Sequence, residues 1–356
     1  MIYSEFDGVR IAGIAAAVPE GVVEIESLKA TEDPQMIDNF IKKTGIVKIH
    51  KGTFEQTAAD YAFSAAKALE TAGKYTPDEI GVLVYVTQCP DYRTPSTALA
   101  LQKRLGLEKS CMVFDINLGC SGFVYGVSVG TSLLSTSTAK KALVLVGDSL
   151  ARKRRNIETK RKSNTSLLFG DASSATLIEK CSGYKLKSAL MSDGTGHKAL
   201  SNPYQAWKHP EGPGGIPGDD IAVFNFTISE VPELINGFLQ KTNEDMSDFD
   251  SLILHQANKM IIKQIAKKVK MPMEKVPLSL DRYGNTSGAS DPVTIADKYG
   301  ESNEGKVLKL LVSGFGVGLS WGVLSFEILD TDILPVQISH DTYDDGYADD
   351  LPEFDD

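Results

Sequence analysis

One cysteine in the chain stands where covalent chemistry is favoured. Cys120 lies in the segment DINLGCSGFVYG, residues 115–126, between a run typical of a buried strand and a run with helical periodicity. A thiol is a nucleophile only as the thiolate, and the positive end of a helix dipole lowers a thiol pKa. The sequence therefore predicts that Cys120, at the start of a helix, attacks thioesters and becomes acylated.

A histidine and an asparagine further along the chain are the predicted partners of this cysteine. His255 follows the apolar run SLIL and begins HQAN, whereas Asn285 lies in GNTSGAS. If Asn285 merely orients His255, the three residues form a Cys-His-Asn hydrolase or amidase. If both side chains direct N–H groups at one carbonyl oxygen, they stabilise the enolate left when a malonyl thioester loses carbon dioxide. The residues by themselves leave both chemistries open.

The elements that must position these residues alternate between strands and helices. Strands are predicted at 9–17, 81–87, 111–116, 142–147, 175–178, 251–254, 276–281 and 306–313, and helices at 58–72, 96–105, 121–135, 231–241, 259–269 and 292–299. Apolar strands between helices are typical of α/β layering with sheets buried on both faces. Gly122, Gly126 and Gly130 share one helix face. This face predicts a close approach by another backbone, with the helix after Asn285 as the candidate.

Length and charge indicate how the chain is divided. A weak internal repeat of the strand-turn-helix pattern predicts two related halves, 1–182 with the cysteine and 183–330 with the histidine and asparagine. Residues 331–356 carry nine acidic side chains and no Lys or Arg, so the net charge of -10 becomes -10 - (-9) = -1 for the rest of the chain. We expect this acidic stretch to be a flexible tail, because it repels itself and has little to bury.

Composition also bears on compartment and partners. The four cysteines have no spacing typical of a zinc site or a dense disulfide framework, and the N-terminus lacks a signal-peptide pattern. No apolar run approaches the ~18 residues of a membrane span. We therefore expect a cytoplasmic protein that is not embedded in a membrane. The near-neutral body and the lack of interleaved aromatic residues argue against nucleic-acid binding.

Four ordered motifs give the chain a resemblance to a known family. The motifs are DINxxCSGFxYG, HQAN, GNTS and FGxGxxWG. On these motifs the chain resembles the β-ketoacyl-acyl-carrier-protein synthase III family of thiolase-fold condensing enzymes. The resemblance implies an α/β fold of five αβαβα layers with two pseudo-symmetric halves, and a homodimer. It also implies acyl transfer to a cysteine, followed by decarboxylative Claisen condensation with malonyl-carrier protein to give 3-oxoacyl-carrier protein.

The resemblance assigns roles and substrates as well. Cys120 would take the acyl group, His255 and Asn285 would serve the malonyl half-reaction, and the backbone N–H groups of Cys120 and Val317 would hold the thioester oxyanion. Coenzyme A or phosphopantetheine thioesters would be substrates, in fatty acid, secondary-metabolite or acyl-sugar biosynthesis, with no metal and no permanently bound cofactor. Two alternatives remain: an acyltransferase that forms an ester or amide without decarboxylation, and a non-catalytic subunit that only binds carrier protein.

Four positions depart from the family pattern. Val317 stands where relatives usually have a third glycine, which preserves the backbone N–H but changes the surroundings of the oxyanion hole. Asn39 and Lys43 stand where relatives that use coenzyme A carry a Trp and an Arg, so stacking worth roughly 1 to 3 kcal/mol is lost. Thr94 stands where relatives often have a bulky residue, which predicts a pocket that admits a longer or polar acyl chain.

A basic helix face is the predicted docking site for the carrier protein. Lys259, Lys263, Lys267 and Lys270 lie on one side of the helix that follows His255, opposite its isoleucines. Acyl carrier proteins are acidic, so this stripe would steer them to the site. Asn258, Arg152 and Lys43 complete the predicted set of residues that bind phosphopantetheine or coenzyme A.

Overall fold

The computed structural model describes residues 1–150, 165–204, 206–211 and 218–346. Arg152, one of the predicted binding residues, lies outside the described residues. The strands are β1 (Ile2–Pro19), β2 (Val22–Glu24), β3 (Lys48–His50), β4 (Ile80–Val86), β5 (Met112–Ile116), β6 (Lys141–Asp148), β7 (Ala172–Ser192), β8 (Ser251–Leu254), β9 (Val307–Gly316), β10 (Ser320–Leu329) and β11 (Gln337–Ser339).

The α-helices are α1 (Pro34–Thr44), α2 (Ala58–Thr71), α3 (Thr97–Arg104), α4 (Gly122–Thr136), α5 (Thr165–Leu168), α6 (Asp220–Thr242), α7 (Lys259–Lys268), α8 (Leu280–Tyr283) and α9 (Ser290–Tyr299). Among the residues described, no helix combines the length and apolar character that crossing a membrane requires.

Two long strands join the two halves of the molecule. β1 and β7 pair antiparallel along most of their length, Val9–Ala17 with 173–180 and Ile2–Asp7 with 185–190. On one side β7 continues into the order β7-β6-β4-β5, and on the other into β7-β10-β9-β8. The predicted boundary at residue 182 thus falls within β7, a strand that both halves share.

Helices on both faces of these strands give the five layers that the resemblance implied. α4 packs on β4, β6 and β7 and also on β9 and β10, while α9 packs on β1, β7, β8 and β9. These two helices form the central layer. α2 covers the outer face of the part of the sheet formed by β1, β6 and β7, and α6 covers the part formed by β9 and β10. The predicted thiolase-like α/β fold is confirmed.

Two predictions about local structure were wrong. The run 276–281, predicted as a strand, leads into the short helix α8, because the N–H groups of Ser279 and Leu280 donate to Gln256 Oε1 (3.0 and 3.4 Å) rather than to a neighbouring strand. Helix α1 was not predicted at all. Its signals are local, since Asp33 caps its first turn, Pro34 occupies its first position and Gly45 ends it with φ 81°.

The glycine face of α4 serves a different purpose from the predicted one. A Cβ on Gly126 would lie 2.8 Å from a methyl group of Val86, and one on Gly130 would lie 2.6 Å from a methyl group of Val144. The face therefore lets α4 approach the valines of β4 and β6. Only at its first turn does the predicted helix–helix approach occur, where Gly288 Cα would lie 3.7 Å from a Cβ on Gly122.

The acidic C-terminal stretch is packed on the body as far as the structure describes it. β11 pairs in parallel with Ala17–Pro19 of β1, and Gln56 Nε2 donates to the Ser339 and Asp341 carbonyls (both 3.2 Å). Tyr92 donates to Asp345 Oδ2 at 2.5 Å. Between residue 331 and Gly346 the predicted flexible tail is therefore not seen, because this stretch accepts hydrogen bonds from residues of the first half. Residues 347–356 lie outside the described part.

Arg104 links this stretch to the core and gives a stability prediction. Its guanidinium lies 2.9 Å from Asp60 Oδ1, with the two side chains 7% and 2% exposed, and it stacks between the rings of Phe63 and Tyr343. Removing one member of a buried ion pair leaves an uncompensated charge, which typically costs about 3 kcal/mol. We expect Arg104→Met to lower the urea-derived free energy of unfolding by about that amount.

The control for Arg104→Met is a lysine in an exposed ion pair. Lys29 contacts Glu26 and Asp38 at 3.0 and 2.7 Å, and both carboxylates are well exposed. Lys29→Met should leave the unfolding midpoint unchanged, since exposed pairs contribute little. Equal midpoints for the two variants would contradict the buried-pair account.

Candidate active site

Cys120 lies in the turn between β5 and α4, two residues before the first residue of the helix, and is buried. The structure contradicts the predicted effect of the helix end on this thiol. Burial raises the pKa of Cys120 to about 11, and the nearby carboxylate of Asp148 adds to the increase. Hydrogen bonds to the thiolate from Val317 and Ser287 oppose the shift without overcoming it. In the free protein the thiol is therefore protonated at neutral pH.

The β9–β10 turn closes directly onto this cysteine. Gly316 has φ 155°, and a Cβ there would lie 2.6 Å from Cys120 Cβ and 3.0 Å from Sγ, so only glycine fits. The following backbone N–H, that of Val317, hydrogen-bonds to the sulfur. The valine side chain does not remove this donor. The Val317 N–H therefore points toward Sγ and toward any group bonded to it.

His255 emerges from the end of β8 and is fully enclosed. Its Nδ1 lies 2.6 Å from Ser290 Oγ, and its ring packs edge-on against Phe315 with the centroids 5.4 Å apart. Burial lowers the pKa of His255 to about 3, opposed by a hydrogen bond to the Ser287 backbone, so the imidazole is neutral at physiological pH. Ser290 Oγ also accepts the Gln256 N–H at 3.3 Å, which leaves its proton free to donate to Nδ1. In that tautomer Nε2 carries the hydrogen.

Asn285 is fixed by its backbone and by one side-chain atom. Its N–H donates to the Leu168 carbonyl at 2.9 Å, and its own carbonyl accepts from Gly170 N–H at 3.1 Å. The carboxamide oxygen accepts the Ser287 N–H at 2.9 Å. This contact assigns the amide orientation, because the NH₂ group must then point the opposite way. Asn285 thus presents a hydrogen-bond donor.

Ser287 brings the three predicted residues together. Its hydroxyl hydrogen-bonds to the Cys120 sulfur, its backbone to the His255 imidazole, and its N–H to the Asn285 carboxamide. Residues from three distant stretches of chain therefore surround one serine. Two neutral donors, an imidazole and a carboxamide, lie beside one thiol.

Three polar residues behind this site were missed by the sequence analysis. Asp148 ends β6 and is buried, and Thr87 and Gln88 follow β4 and donate to its carboxylate. Gln88 Nε2 also donates to Ser287 Oγ at 3.1 Å. Polar residues at the ends of two strands were a usable signal, since β4 and β6 are parallel neighbours and their ends coincide.

The predicted docking residues lie on two adjoining helices. Lys259, Lys263 and Lys267 are exposed on α7, whereas Lys270 lies beyond the end of α7 with φ 60°. Asn258 caps this helix, its Oδ1 accepting from Ile261 N–H at 2.8 Å. The helix cap is therefore the interaction that the structure assigns to Asn258.

Helix α1 extends the same basic surface. It packs against α7 where Gly45 meets the stem of Lys259, and it carries Lys43 and Asn39, both exposed. In the described part of the chain no acidic side chain forms an ion pair with Lys43 or Lys259. This surface therefore has positive charge available to a partner.

Thr94, predicted to line the acyl pocket, is exposed in the loop before α3. The loop is anchored from the cysteine motif itself, because both carboxylate oxygens of Asp115 accept the N–H groups of Thr97 and Ala98 at 2.7 and 2.8 Å. In this single chain Thr94 does not touch the buried site.

Fold and site together define a class of protein. Two α/β halves related through shared strands, with a cysteine at the start of one central helix and a histidine and an asparagine supplied by the other half, are the plan of the thiolase-fold condensing enzymes.

The sequence profile described as 3-oxoacyl-[acyl-carrier-protein] synthase III matches residues 114–194, and its C-terminal counterpart matches 239–328. The chain is 36% identical to a beta-ketoacyl-[acyl-carrier-protein] synthase III of Xanthomonas campestris pv. campestris, covering 88% of this chain and 96% of that protein. It is 33% identical to the synthase III of Rhodopirellula baltica, over 90% and 98%. The chain belongs to the 3-oxoacyl-[acyl-carrier-protein] synthase III family.

A solved structure supports the same assignment. The 3-oxoacyl-(acyl-carrier protein) synthase of Burkholderia xenovorans LB400 superposes with a TM-score of 0.89 at 32% identity. The match covers 95% of this chain and 99% of that one.

Proposed function

We propose that this protein transfers an acyl group from a thioester to Cys120 and then condenses it with malonyl-acyl carrier protein, releasing carbon dioxide and 3-oxoacyl-carrier protein. Ser287 carries the proposal, because it contacts the thiol, the imidazole and the carboxamide at once. The donor is coenzyme A or a phosphopantetheine carrier, and the enzyme has no resident metal or cofactor.

The first half-reaction uses Cys120 and two backbone donors. When the thiolate attacks a thioester, negative charge develops on the carbonyl oxygen within reach of the N–H groups of Cys120 and Val317. Fixed donors aimed at a developing oxyanion supply several kcal/mol of transition-state stabilisation. Val317 contributes through its N–H, which already hydrogen-bonds to the sulfur.

The second half-reaction uses His255 and Asn285 as donors. The low pKa of His255 favours the neutral imidazole. With the Asn285 oxygen facing Ser287, the carboxamide NH₂ is left for substrate. With Nδ1 facing Ser290, the other N–H of His255 is shared between the Ser287 backbone and the substrate. Two neutral donors stabilise the enolate that remains after malonyl decarboxylation. A hydrolase mechanism would instead need His255 to take up protons, which its burial opposes.

Intact-mass measurement with a panel of acyl thioesters tests the first half-reaction. We expect one adduct per chain, whose mass identifies the acyl group, and none after Cys120→Ala. The exposed, small Thr94 favours donors longer or more polar than acetyl. Adducts that survive Cys120→Ala would contradict the assignment of the nucleophile. An acyl-enzyme that releases no carbon dioxide from malonyl-carrier protein would instead favour ester or amide formation.

The lysines of α7 are proposed to dock the carrier protein. We expect Lys259→Glu combined with Lys263→Glu to slow condensation with carrier-bound malonate by about tenfold at low salt, because electrostatic steering is lost. Acylation of Cys120 by a free, non-carrier thioester should be unchanged. The two rates are measured by product formation and by intact mass.

The control carries the same change in charge far from α7. Lys109→Glu combined with Lys298→Glu alters two exposed lysines outside α1 and α7. This variant should condense at the unaltered rate. Equal losses in both double variants, or equal losses in both half-reactions, would count against docking on α7.

A homodimer is part of the proposal, in which the exposed Thr94 would reach the acyl pocket of a second copy. The two halves, 1–182 and 183–330, are proposed to be related repeats joined by β1 and β7. We propose a cytoplasmic location, where carrier proteins and malonyl thioesters are available.

A further inference from the structure

A buried carboxylate lies directly behind the nucleophile. Asp148 Oδ1 accepts from Gln88 N–H at 2.7 Å and from Thr87 Oγ1 at 3.1 Å, and Oδ2 accepts from Gln88 Nε2 at 3.2 Å. Asp148 is 2% exposed and has no basic partner among these contacts. A carboxylate held this way has no part in the two half-reactions as described above.

Ser287 connects this carboxylate to the thiol. Its hydroxyl hydrogen-bonds to Asp148 and to Cys120, and it accepts from Gln88 Nε2 at 3.1 Å. A hydroxyl has one proton and two acceptor lone pairs. Since Gln88 occupies one lone pair, the remaining arrangement is donation to Asp148 and acceptance from the thiol. The hydrogen bonds then point from sulfur to carboxylate.

The acylation step needs such an acceptor. The thiol must lose its proton, and its pKa is raised to about 11. His255 is a poor acceptor, because its pKa is lowered to about 3 and its Nδ1 faces Ser290. Burial raises the pKa of Asp148 above the ordinary value for a carboxyl group, although the bonds from Ser287 and Gln88 oppose the shift. A carboxylate of raised pKa is a better general base at neutral pH.

We propose that Asp148 accepts the proton of Cys120 through the Ser287 hydroxyl during acyl transfer, an inference that rests on the proposed function. The thiol proton passes to Ser287 Oγ while the Ser287 proton passes to a carboxylate oxygen of Asp148. The sulfur then bonds to the thioester carbonyl carbon, and the bond from that carbon to the donor sulfur breaks. The Ser287 hydroxyl then donates its proton to the leaving thiolate and takes one back from Asp148, so the step is balanced.

The roles within this relay differ. Ser287 touches the reacting sulfur and is a catalytic residue. Asp148 acts through Ser287 and is a positioning residue and proton store, and Gln88 positions both. Cys120 and Tyr85 both interact electrostatically with Asp148, and burial raises the pKa of Tyr85 far above the neutral range. Tyr85 therefore stays protonated at neutral pH and adds no charge beside Asp148.

Asp148→Asn distinguishes a proton relay from a simple charge effect on Cys120. The relay predicts slower acyl transfer in this variant, whereas the charge effect alone predicts faster acyl transfer. The negative charge of Asp148 raises the pKa of Cys120. Its removal should therefore speed alkylation of Cys120 by iodoacetamide at pH about 7.5, since alkylation needs only the equilibrium thiolate. Acyl transfer from a free acyl thioester should slow by about 10²-fold, and its rise with pH through the Asp148 titration should disappear. Both rates are followed by intact mass.

A second variant keeps the negative charge of Asp148 and removes the hydroxyl that links Asp148 to Cys120. Ser287→Ala should slow acyl transfer by about 10²-fold, whereas alkylation should slow only to the extent that the thiolate loses one hydrogen bond. The matched control is Ser128→Ala, a buried serine of α4 whose hydroxyl donates to the Val124 carbonyl. That variant should acylate at the unaltered rate.

The outcomes distinguish this inference from the proposed function. Acyl transfer that keeps the wild-type rate and pH profile in both Asp148→Asn and Ser287→Ala would overturn the relay and leave the proposed function intact. Parallel acceleration of alkylation and acylation in Asp148→Asn would also overturn it. A wild-type protein that forms no acyl adduct on Cys120 would overturn both.

Discussion

Asn285→Asp is expected to reduce condensation with malonyl-carrier protein by about 10² to 10³-fold while acylation of Cys120 stays within a few-fold of wild type. The reason lies in which atoms Asn285 presents. Its oxygen is held by the Ser287 N–H, so the NH₂ group faces the substrate. An aspartate of the same shape replaces that donor with a second oxygen, which repels the enolate. Carbon dioxide release and adduct mass measure the two half-reactions separately.

The control for Asn285→Asp is the same substitution on the surface. Asn236 is exposed on α6, and Asn236→Asp should leave both half-reactions unchanged. His255→Ala should reproduce the loss of condensation, because it removes the other donor. A variant of Asn285 that loses acylation and condensation equally would indicate that the side chain supports the fold of the site, through its contact with the Ser287 N–H, rather than the enolate.

The three candidate site residues could be selected from sequence because each has a local signal. Cys120 follows an apolar strand and precedes a glycine-spaced helix, His255 ends an apolar strand, and Asn285 sits in a glycine turn. These are short-range signals that survive without knowledge of the fold. The layers were predictable for a similar reason, since apolar runs and helical periodicity are local patterns.

What the sequence could not reveal depends on contacts between distant residues. The raised pKa of Cys120 follows from its burial, to which Gly316 and Val317 contribute from the other half of the chain. The link between Gln88 and Ser287 joins positions 199 apart. Neither the pKa of Cys120 nor the contact between Gln88 and Ser287 can be predicted from the spacing of residues in the sequence.

The placement of the acidic C-terminal stretch also depends on contacts with distant residues. Counting nine carboxylates predicted repulsion, but Ser64 and Tyr92 donate to the carboxylates of Asp341 and Asp345, and Arg104 stacks on Tyr343. A charge count describes a segment in water and not against a surface that complements it. Local composition was therefore a poor guide where tertiary partners exist.

Alkylation of Cys120 is expected to accelerate about tenfold for each pH unit between roughly pH 7 and pH 10, without a plateau in that range. The sign follows from the pKa of about 11, which burial sets above the ordinary value of a thiol. Only the thiolate reacts, and its fraction rises tenfold per unit as long as the pH stays below the pKa. Iodoacetamide labelling followed by peptide mapping measures the rate at Cys120 separately from the other cysteines.

The same measurement shows whether burial, or the helix end with its hydrogen bonds, controls the pKa of Cys120. A plateau reached near pH 7 would mean that the helix end and the hydrogen bonds from Val317 and Ser287 outweigh burial, contrary to the structure. Cys120→Ala provides the control, since the pH-dependent adduct must vanish with it. If the steep dependence holds, acyl transfer at neutral pH cannot rely on a standing thiolate. The proton must then leave as substrate reacts, which is the situation in which an internal acceptor behind Ser287 has an effect.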